Sequence, residues 1–342
     1  MESELQKEHF DNLYKFYKNA LKLQKSNMQE KLYNLLSQQI KSLNSNKTRK
    51  NVIEIFKKDN YIEDVVWNKN INLFVFDDKI YDLSLGQYVE PNKDEYMNMS
   101  VGYKYELKEL TAEKKLSIRE DIEKVLKSII VDPERYKHIM KVISTFLTQD
   151  NKEEKGYFWL GSGRNGKGTI TTLLKMVLGK YWGELNTEYY TTYKHRADEP
   201  NQNLYMNRYS RVLNTSEVAQ ENSRGEAMKF VNDTFCRTTG RDPLYARELG
   251  SKKTVSFSAG KVLIQLNSMP SFTTKITKNS DSLMERIEIH QLEKSFTDNE
   301  QKLLLEPDKY KRIDKTIKNK FQTEEYRNTM IKSYLNIIIY IN

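Results

Sequence analysis

Apolar and polar residues follow each other along the chain in patterns that change at a few points. Residues 1–47 have apolar side chains three and four positions apart on a polar background, which predicts helices. Short apolar runs separated by turn residues follow at 65–83 and predict strands. From about residue 110 the helical spacing returns. We therefore predict a helical N-terminal segment (1–47) and a smaller mixed, mainly helical α+β domain (48–150).

The sharpest change of pattern lies at 157–179. An apolar strand runs into a glycine-rich turn, and Lys167 opens an amphipathic helix that is expected to end at Gly179. Glycines let backbone N–H groups turn toward a phosphate, the helix N-terminus adds its dipole, and a lysine reaches the β- and γ-phosphates. A chance glycine-rich match is the alternative, but strand, loop, lysine and helix occur here in order. The predicted ATP-binding residues are Gly161, Ser162, Gly163, Arg164, Asn165, Gly166, Lys167, Gly168 and Thr169.

The predicted magnesium site departs from the usual pattern at one position. The residue after the lysine is normally Ser or Thr, whose hydroxyl binds Mg²⁺, whereas here it is Gly168, with Thr169 one position later. We predict Thr169 as a magnesium ligand, together with an acidic residue farther along the chain, Glu217.

Two further apolar strands end in a polar residue. The strand at 211–216 leads to Glu217, and the strand at 262–266 leads to Asn267. Because α/β sheets bind ligands at the carboxyl ends of their strands, Glu217 could hold Mg²⁺ through water and take a proton from the attacking water. Asn267 could orient that water. The alternatives are a surface charge or helix cap for Glu217 and a turn-forming role before Pro270 for Asn267.

A basic segment lies between these two strands. Residues 239–257 carry several lysines and arginines around a Gly-Ser turn. A loop or hairpin of this kind could contact a phosphate backbone, and a solvated charged loop is the alternative. Farther on, Arg286 opens an apolar alternation, where it could be exposed at a subunit face.

Composition narrows the choice of partner and compartment. Lys and Arg number 56 against 47 Asp and Glu, a net charge of +9, which suits a polyanionic partner such as nucleic acid. With one cysteine, Cys236, the chain has no internal disulfide framework, and its four histidines show no metal-ligand spacing. The N-terminus is polar and no apolar run reaches about 18 residues, so we expect a protein that is neither secreted nor membrane-spanning.

With these pieces in order, the chain resembles the superfamily 3 helicases, and within them the helicase part of poxvirus-type primase-helicases from large DNA viruses and phages. The likeness covers roughly residues 60–300, and the phosphate loop is similar to that family's G-x-G-x-N-G-K form of the Walker A motif. The resemblance implies these roles: catalytic Lys167, a catalytic Walker B glutamate (Glu217), a sensor asparagine (Asn267), an arginine finger that reaches the ATP of a neighbouring subunit (Arg286), and hairpin lysines that contact DNA (Lys252 and Lys253).

The resemblance also implies an architecture and a setting. It implies an AAA+ P-loop ATPase domain at 151–300, with a central parallel sheet flanked by helices, and a helical C-terminal segment at 301–342 where relatives often continue. It implies a homohexameric ring that hydrolyses ATP with Mg²⁺, translocates on single-stranded DNA and unwinds duplex. A viral protein acting in the host cytoplasm or elsewhere inside the host cell is expected, with a primase or other replication proteins as separate partners.

Two other functions stay open at this point. A small-molecule kinase could use the same phosphate loop, although it would need an acceptor pocket and a lid. A non-catalytic paralogue could bind nucleotide or DNA without turnover, a reading that Gly168 motivates.

Overall fold

A computed structural model describes residues 45–59, 65–92, 94–105, 110–191, 201–216, 229–251, 253–273 and 281–339, together with a few isolated positions before residue 45. The chain divides into two compact units, one ending at Val65 and one beginning at Val66. Most of the helical segment predicted at 1–47 lies outside the described residues. The domain limits predicted at residues 47, 150 and 300 stay predictions.

The helices and strands of the described residues are numbered in chain order. The helices are α1 (Asn46–Asp59), α2 (Ala112–Ile129), α3 (Pro133–Thr145), α4 (Lys167–Leu178), α5 (Glu188–Thr191), α6 (Gln202–Met206), α7 (Asn232–Thr239), α8 (Asp281–Glu285), α9 (Glu300–Leu305), α10 (Ile317–Phe321) and α11 (Glu324–Ile339). The strands are β1 (Leu73–Val75), β2 (Ile80–Asp82), β3 (Gln87–Val89), β4 (Gly156–Leu160), β5 (Trp182–Glu184), β6 (Val212–Thr215), β7 (Lys229–Phe230), β8 (Leu244–Arg247), β9 (Thr254–Phe257), β10 (Lys261–Leu266), β11 (Ser271–Phe272), β12 (Ile287–Gln291), β13 (Ser295–Thr297) and β14 (Tyr310–Arg312).

The second unit is built around a five-stranded sheet in which all neighbouring strands are parallel. The strand order is β12-β4-β10-β6-β5, so β10 lies between β4 and β6. Successive side chains point to opposite faces, and Tyr157 and Trp159 therefore join one hydrophobic cluster while Phe158 joins the other. Both faces are covered at β4, which explains why this strand is an uninterrupted run of apolar residues. The predicted α/β fold, a parallel sheet flanked by helices, is confirmed.

Helices α2, α3, α4 and α11 cover one face of this sheet. The buried residues of α4, among them Ile170, Leu173 and Val177, recur at helical spacing and form the face that packs inward. Asp132 caps α3 by accepting a hydrogen bond from Arg135 N at 2.6 Å, which satisfies a donor of the first turn. α11 packs against α2, α3 and α4, so the end of the described chain belongs to the same core.

A small antiparallel sheet, β1-β2-β3, shares this core. Arg211, directly before β6, is 3% exposed, and its guanidinium lies 4.1 Å from the ring centre of Tyr181. It donates hydrogen bonds to Leu73 O and Leu147 O. Burial lowers the pKa of Arg211. One buried side chain thus joins the small sheet to the parallel sheet, and residues before and after position 150 pack together.

The chain after residue 300 is mainly helical and also contains β14, which pairs in parallel with β13. α11 buries Ile331 and Tyr334. Across the parts of the chain that the structure describes, no helix is both long and apolar enough to span a bilayer.

Candidate nucleotide site

The predicted phosphate loop connects the end of β4 to the start of α4. Gly163 and Gly166 have φ angles of +92° and +88°, in the left-handed region that glycine enters without steric cost. A Cβ on Gly166 would also lie 2.6 Å from Ile129 Cδ1, so this position has no room for a side chain. The turn therefore depends on glycine at both positions and brings the chain directly to the N-terminus of α4.

Asn165 fills the inside of this loop. Its side chain is almost fully buried, and a Cβ on Gly161 would lie 1.5 Å from Asn165 Nδ2. Position 161 therefore has to be glycine, because the Asn165 amide occupies the space that a Cβ would need. Among the described residues Asn165 Nδ2 has no hydrogen-bond partner.

Neighbouring segments hold the loop on two sides. Gly161 N donates to Leu266 O at 3.1 Å, which joins the loop to the end of β10. Phe296 N, in β13, donates to Arg164 O at 2.7 Å. Arg164 itself has a φ of +49°, an uncommon conformation for a residue with a side chain. These bonds position the backbone that would face a phosphate.

Lys167 and Asn267 meet at the carboxyl edge of the sheet. Lys167 Nζ donates to Gly161 O at 2.5 Å and to Asn267 Oδ1 at 3.2 Å. Lys167 is 8% exposed, whereas Asn267 is exposed. The structure therefore brings together the lysine predicted to bind phosphate and the asparagine predicted to orient water. Their catalytic roles stay predictions.

The edge next to Asn267 carries a polar network that the sequence patterns do not indicate. Gln265 Nε2 donates to Asn214 Oδ1 at 2.9 Å, and Asn214 Nδ2 donates to Ser216 Oγ at 3.1 Å. Asn214 and Gln265 are buried amides within mainly apolar strands. A polar residue inside an apolar run is the sequence feature from which this network could have been predicted. The network holds the end of β6, and Glu217 is the next residue along the chain but lies outside the described residues.

The predicted magnesium ligands can be placed only in part. Thr169 is half-buried in the first turn of α4, and its hydroxyl is an oxygen donor of the kind that Mg²⁺ prefers. A Cβ on Gly168 would contact Lys318 Nζ at 3.8 Å, an ordinary van der Waals distance, so a Cβ fits at this position. Lys318, in α10, brings a positive charge close to the first turn of α4. The magnesium site stays a prediction.

Arg286 lies at the amino ends of the strands, whereas the phosphate loop lies at their carboxyl ends. It directly precedes β12, whose first residue pairs with Gly156, and Gly156 N donates to Arg286 O at 2.7 Å. The loop begins five positions after Gly156, about 16 Å farther at the usual rise of a strand. Arg286 forms an ion pair of 2.9 Å with Glu154 and donates to Cys236 O at 3.3 Å. Within one chain its guanidinium is thus remote from the phosphate loop.

The basic segment forms an antiparallel hairpin of β8 and β9. Its turn contains Gly250, with a φ of +83°, and Arg247 Nη1 donates to Ser251 O at 3.1 Å across the turn. Lys253 is exposed at the end of the turn, while Lys252 lies outside the described residues. Contact with DNA stays a prediction for both lysines.

The fold and the loop after β4 define an α/β protein of the P-loop class. No protein-family model matches the chain. The chain is 24% identical over 255 residues to a candidate helicase, L207/L206, of Acanthamoeba polyphaga mimivirus, covering 73% of this chain and 25% of that protein. It is 32% identical over 114 residues to a candidate primase, C962R, of African swine fever virus, covering 30% of this chain and 12% of that protein.

Solved structures of the ligand-free C-terminal region of NrS-1 were also found. One aligns with 73% of this chain and 52% of that chain at a TM-score of 0.44 and 12% identity. Another aligns with 65% and 45% at a TM-score of 0.41 and 13% identity. The sequence relatives confirm the resemblance to helicase and primase proteins of large DNA viruses. This chain spans a quarter or less of the length of those relatives.

Proposed function

We propose that this chain is the ATP-hydrolysing part of a DNA helicase of viral DNA replication. The observation that carries the proposal is the approach of Lys167 Nζ to within 3.2 Å of Asn267 Oδ1 at the carboxyl edge of a parallel sheet. A cationic side chain, a strand-end amide and a helix N-terminus then face the same place, where α/β folds bind nucleotide phosphates.

In the proposed reaction, water attacks the γ-phosphorus of ATP, the bond to the β–γ bridging oxygen breaks, and ADP and inorganic phosphate leave. Lys167 neutralises charge on the β- and γ-phosphates, and Asn267 orients the attacking water. Glu217 accepts the proton that this water loses. Thr169 and Glu217 are the proposed ligands of Mg²⁺, which would neutralise charge on the phosphate oxygens.

We extend the proposal to a homohexameric ring. Arg286 lies at the sheet edge remote from its own phosphate loop, a position from which it could reach the ATP of a neighbouring copy. An arginine supplied in this way changes the rate by about 10³-fold or more, so isolated chains are expected to hydrolyse ATP slowly. In the proposed ring, Lys252 and Lys253 of the β8–β9 hairpin contact single-stranded DNA, which ATP hydrolysis moves.

The names of the sequence relatives support a viral setting. We propose a viral protein that works in the host cytoplasm or elsewhere inside the host cell. A primase or other replication proteins are its proposed separate partners.

Two other functions make different predictions for the same site. A small-molecule kinase would transfer the γ-phosphate to an acceptor hydroxyl rather than to water. A non-catalytic paralogue would bind ATP without turnover, which Gly168 favours because the usual hydroxyl is missing after the lysine.

The test is ATP hydrolysis measured with and without single-stranded DNA, with the mass of the assembly determined in the same sample. We expect assembled protein to hydrolyse ATP faster when DNA is present, and Lys167→Ala to abolish both rates. If the assembled protein hydrolyses ATP at the same rate with and without DNA, the proposed helicase function is contradicted. ATP binding without Lys167-dependent hydrolysis would favour the non-catalytic paralogue, and phosphate transfer to a small acceptor would favour the kinase.

A further inference from the structure

A cluster of two histidines and one glutamate lies on the edge strand of the sheet. His138 belongs to α3, while Glu288 and His290 belong to β12. His138 Nε2 lies 2.7 Å from Glu288 Oε1, and His290 Nε2 lies 3.0 Å from the same oxygen. The potential ligand atoms of all three side chains lie within 4.8 Å of one another.

The fold brings these residues together from distant parts of the chain. Glu288 and His290 are two positions apart on a strand and therefore project from the same face. That face is covered by α3, which places His138 over the strand, with ring centres of the two histidines 5.8 Å apart. The ring of His290 also stacks on Tyr157 of β4 at 6.2 Å. Two of the three groups are thus held on a rigid sheet.

The burial of the three side chains differs in a way that suits a ligand site. The side chain of His290 is 4% exposed, that of Glu288 18%, and that of His138 56%, so the cluster opens to solvent on the helix side. His290 Nε2 is close to Glu288 but poorly aligned with it, and among the described residues it has no hydrogen-bond partner. A buried ring nitrogen of this kind has a lone pair available for a cation when the other nitrogen carries the proton.

We propose that His138, Glu288 and His290 bind a divalent transition-metal ion of the Zn²⁺ type. Two imidazole nitrogens and one carboxylate oxygen are a three-ligand set that Zn²⁺ accepts, with water in the fourth position. Ligands about 2.0–2.1 Å from a tetrahedral ion are separated by about 3.3 Å. The present separations of 2.7 and 3.0 Å therefore need to widen by about 0.6 and 0.3 Å. The ligand atoms of the two histidines, which lie within 4.8 Å of each other, need to approach by at most about 1.5 Å.

The charges around the cluster agree with this assignment. Glu288 Oε1 is the carboxylate oxygen that faces both histidines. Lys155 Nζ lies 3.6 Å from the other carboxylate oxygen, Oε2, and leaves Oε1 to the metal. The nitrogen ligands select against Mg²⁺, which prefers oxygen ligands. The site is therefore chemically distinct from the proposed magnesium site at the phosphate loop.

A bound ion would connect α3 to β12. His138 now contacts the strand through Glu288 Oε1 and through the ring of His290. Metal binding to the folded chain would stabilise it by mass action, and the thermal midpoint would rise with the metal concentration.

The test is calorimetric titration of the full chain with Zn²⁺, in the absence of nucleotide and after treatment with a chelator. We expect one ion per chain and an affinity at least about 10-fold weaker in His138→Ala and in Glu288→Gln, since loss of even a supporting group costs 10–100-fold at metal sites. His138 is exposed, so its substitution is expected to leave the fold intact. His195→Ala, which removes a histidine from another part of the chain, is the matched control and should bind as the unmodified chain does.

A second readout does not depend on any variant. Co²⁺ bound by the unmodified chain should give a visible absorption spectrum of nitrogen and oxygen ligation, and Zn²⁺ should displace it. Mg²⁺ should neither displace Co²⁺ nor raise the thermal midpoint through this site. Equal Zn²⁺ affinity in the unmodified chain, His138→Ala and Glu288→Gln, or no binding at all, would overturn the proposal. Lys167→Ala should bind Zn²⁺ normally, so this result is independent of ATP hydrolysis.

Discussion

Arg286 Nη2 forms an ion pair of 2.9 Å with Glu154 Oε2. The pair lies at the amino ends of the strands, and the phosphate loop lies at their carboxyl ends. The guanidinium remains a quarter exposed, so the pair is accessible from the surface. Because Arg286 is remote from the phosphate loop of its own chain, the proposed arginine finger would have to act on the ATP of another copy.

Mixed assemblies test this role. Lys167→Ala and Arg286→Ala should each be inactive alone, and mixing them should restore hydrolysis at the interfaces that combine an intact lysine with an intact arginine. Random mixing of equal amounts leaves about a quarter of the interfaces complete in a ring of head-to-tail contacts. Glu154→Gln is the control, because it breaks the ion pair and keeps the arginine. No recovery in mixed assemblies that demonstrably form would remove Arg286 from the role.

The contact between Lys167 and Asn267 predicts a second effect. Asn267→Ala removes the amide that is proposed to orient water, and we expect kcat to fall by about 100-fold, the size seen when one transition-state hydrogen-bond donor is lost. Asn267 is exposed, so the fold should survive the change. The measurement is steady-state ATP hydrolysis together with nucleotide affinity. A fall in affinity with kcat unchanged would contradict a role in the chemical step.

Gly168 predicts the response of the site to magnesium. Gly168→Ser adds the hydroxyl that usually follows the lysine, and its Cβ would lie 3.8 Å from Lys318 Nζ, an ordinary contact distance. We expect the Mg²⁺ concentration for half-maximal hydrolysis to fall several-fold. Gly168→Ala is the matched control, because it also replaces the glycine with a residue of higher helix propensity but carries no hydroxyl. Equal responses in the two variants would show that the hydroxyl itself has no effect.

The β8–β9 hairpin predicts a change in the salt dependence of DNA binding. The double substitution Lys252→Ala and Lys253→Ala should weaken binding to single-stranded DNA and reduce the slope of log affinity against log salt by about 1.4, since each lost phosphate contact contributes about 0.7. Nucleotide affinity should stay the same. An unchanged slope would mean that the two lysines do not contact DNA and that the hairpin is a solvated charged loop.

Lys261 predicts how stability changes with pH. Its Nζ donates to Thr148 Oγ1 at 3.0 Å and to Asp150 O. Burial, opposed in part by the charges of Glu153 and Asp150, lowers the pKa of Lys261 from 10.5 to about 8. The unfolded chain therefore binds more protons between pH 8 and 10.5, and the free energy of unfolding rises with pH across this window. The slope from this group is at most about 1.4 kcal/mol per pH unit.

Denaturant unfolding at several pH values measures this slope. Other lysines and tyrosines titrate in the same range, so the informative quantity is the difference between the unmodified chain and Lys261→Met. The variant lacks the buried amine and should show a smaller rise in unfolding free energy from pH 8 to pH 10. If the unfolding free energy of the two proteins rises equally with pH, Lys261 is not the source of the rise.

The local features of this protein were predictable from its sequence. The strand, glycine turn and helix around Lys167 follow from residue spacing and from backbone angles that only glycine adopts easily, as Gly163 and Gly166 do. The parallel sheet was predicted from the resemblance of these motifs to those of the superfamily 3 helicases. The meeting of Lys167 with Asn267 followed from a general rule, that the carboxyl ends of parallel strands share one edge.

The tertiary structure alone decided the remaining relationships. His138 and His290 are far apart in the chain and show no ligand spacing, yet the packing of α3 on β12 brings their rings to 5.8 Å. The approach of Lys318 to Gly168 likewise depends on how α10 packs against α4. The strand register places Arg286 beside Gly156, at the amino ends of the strands and remote from Lys167. Local sequence encodes periodicity and turn geometry, whereas contacts between distant residues depend on register and packing, which arise only when all the elements share one core.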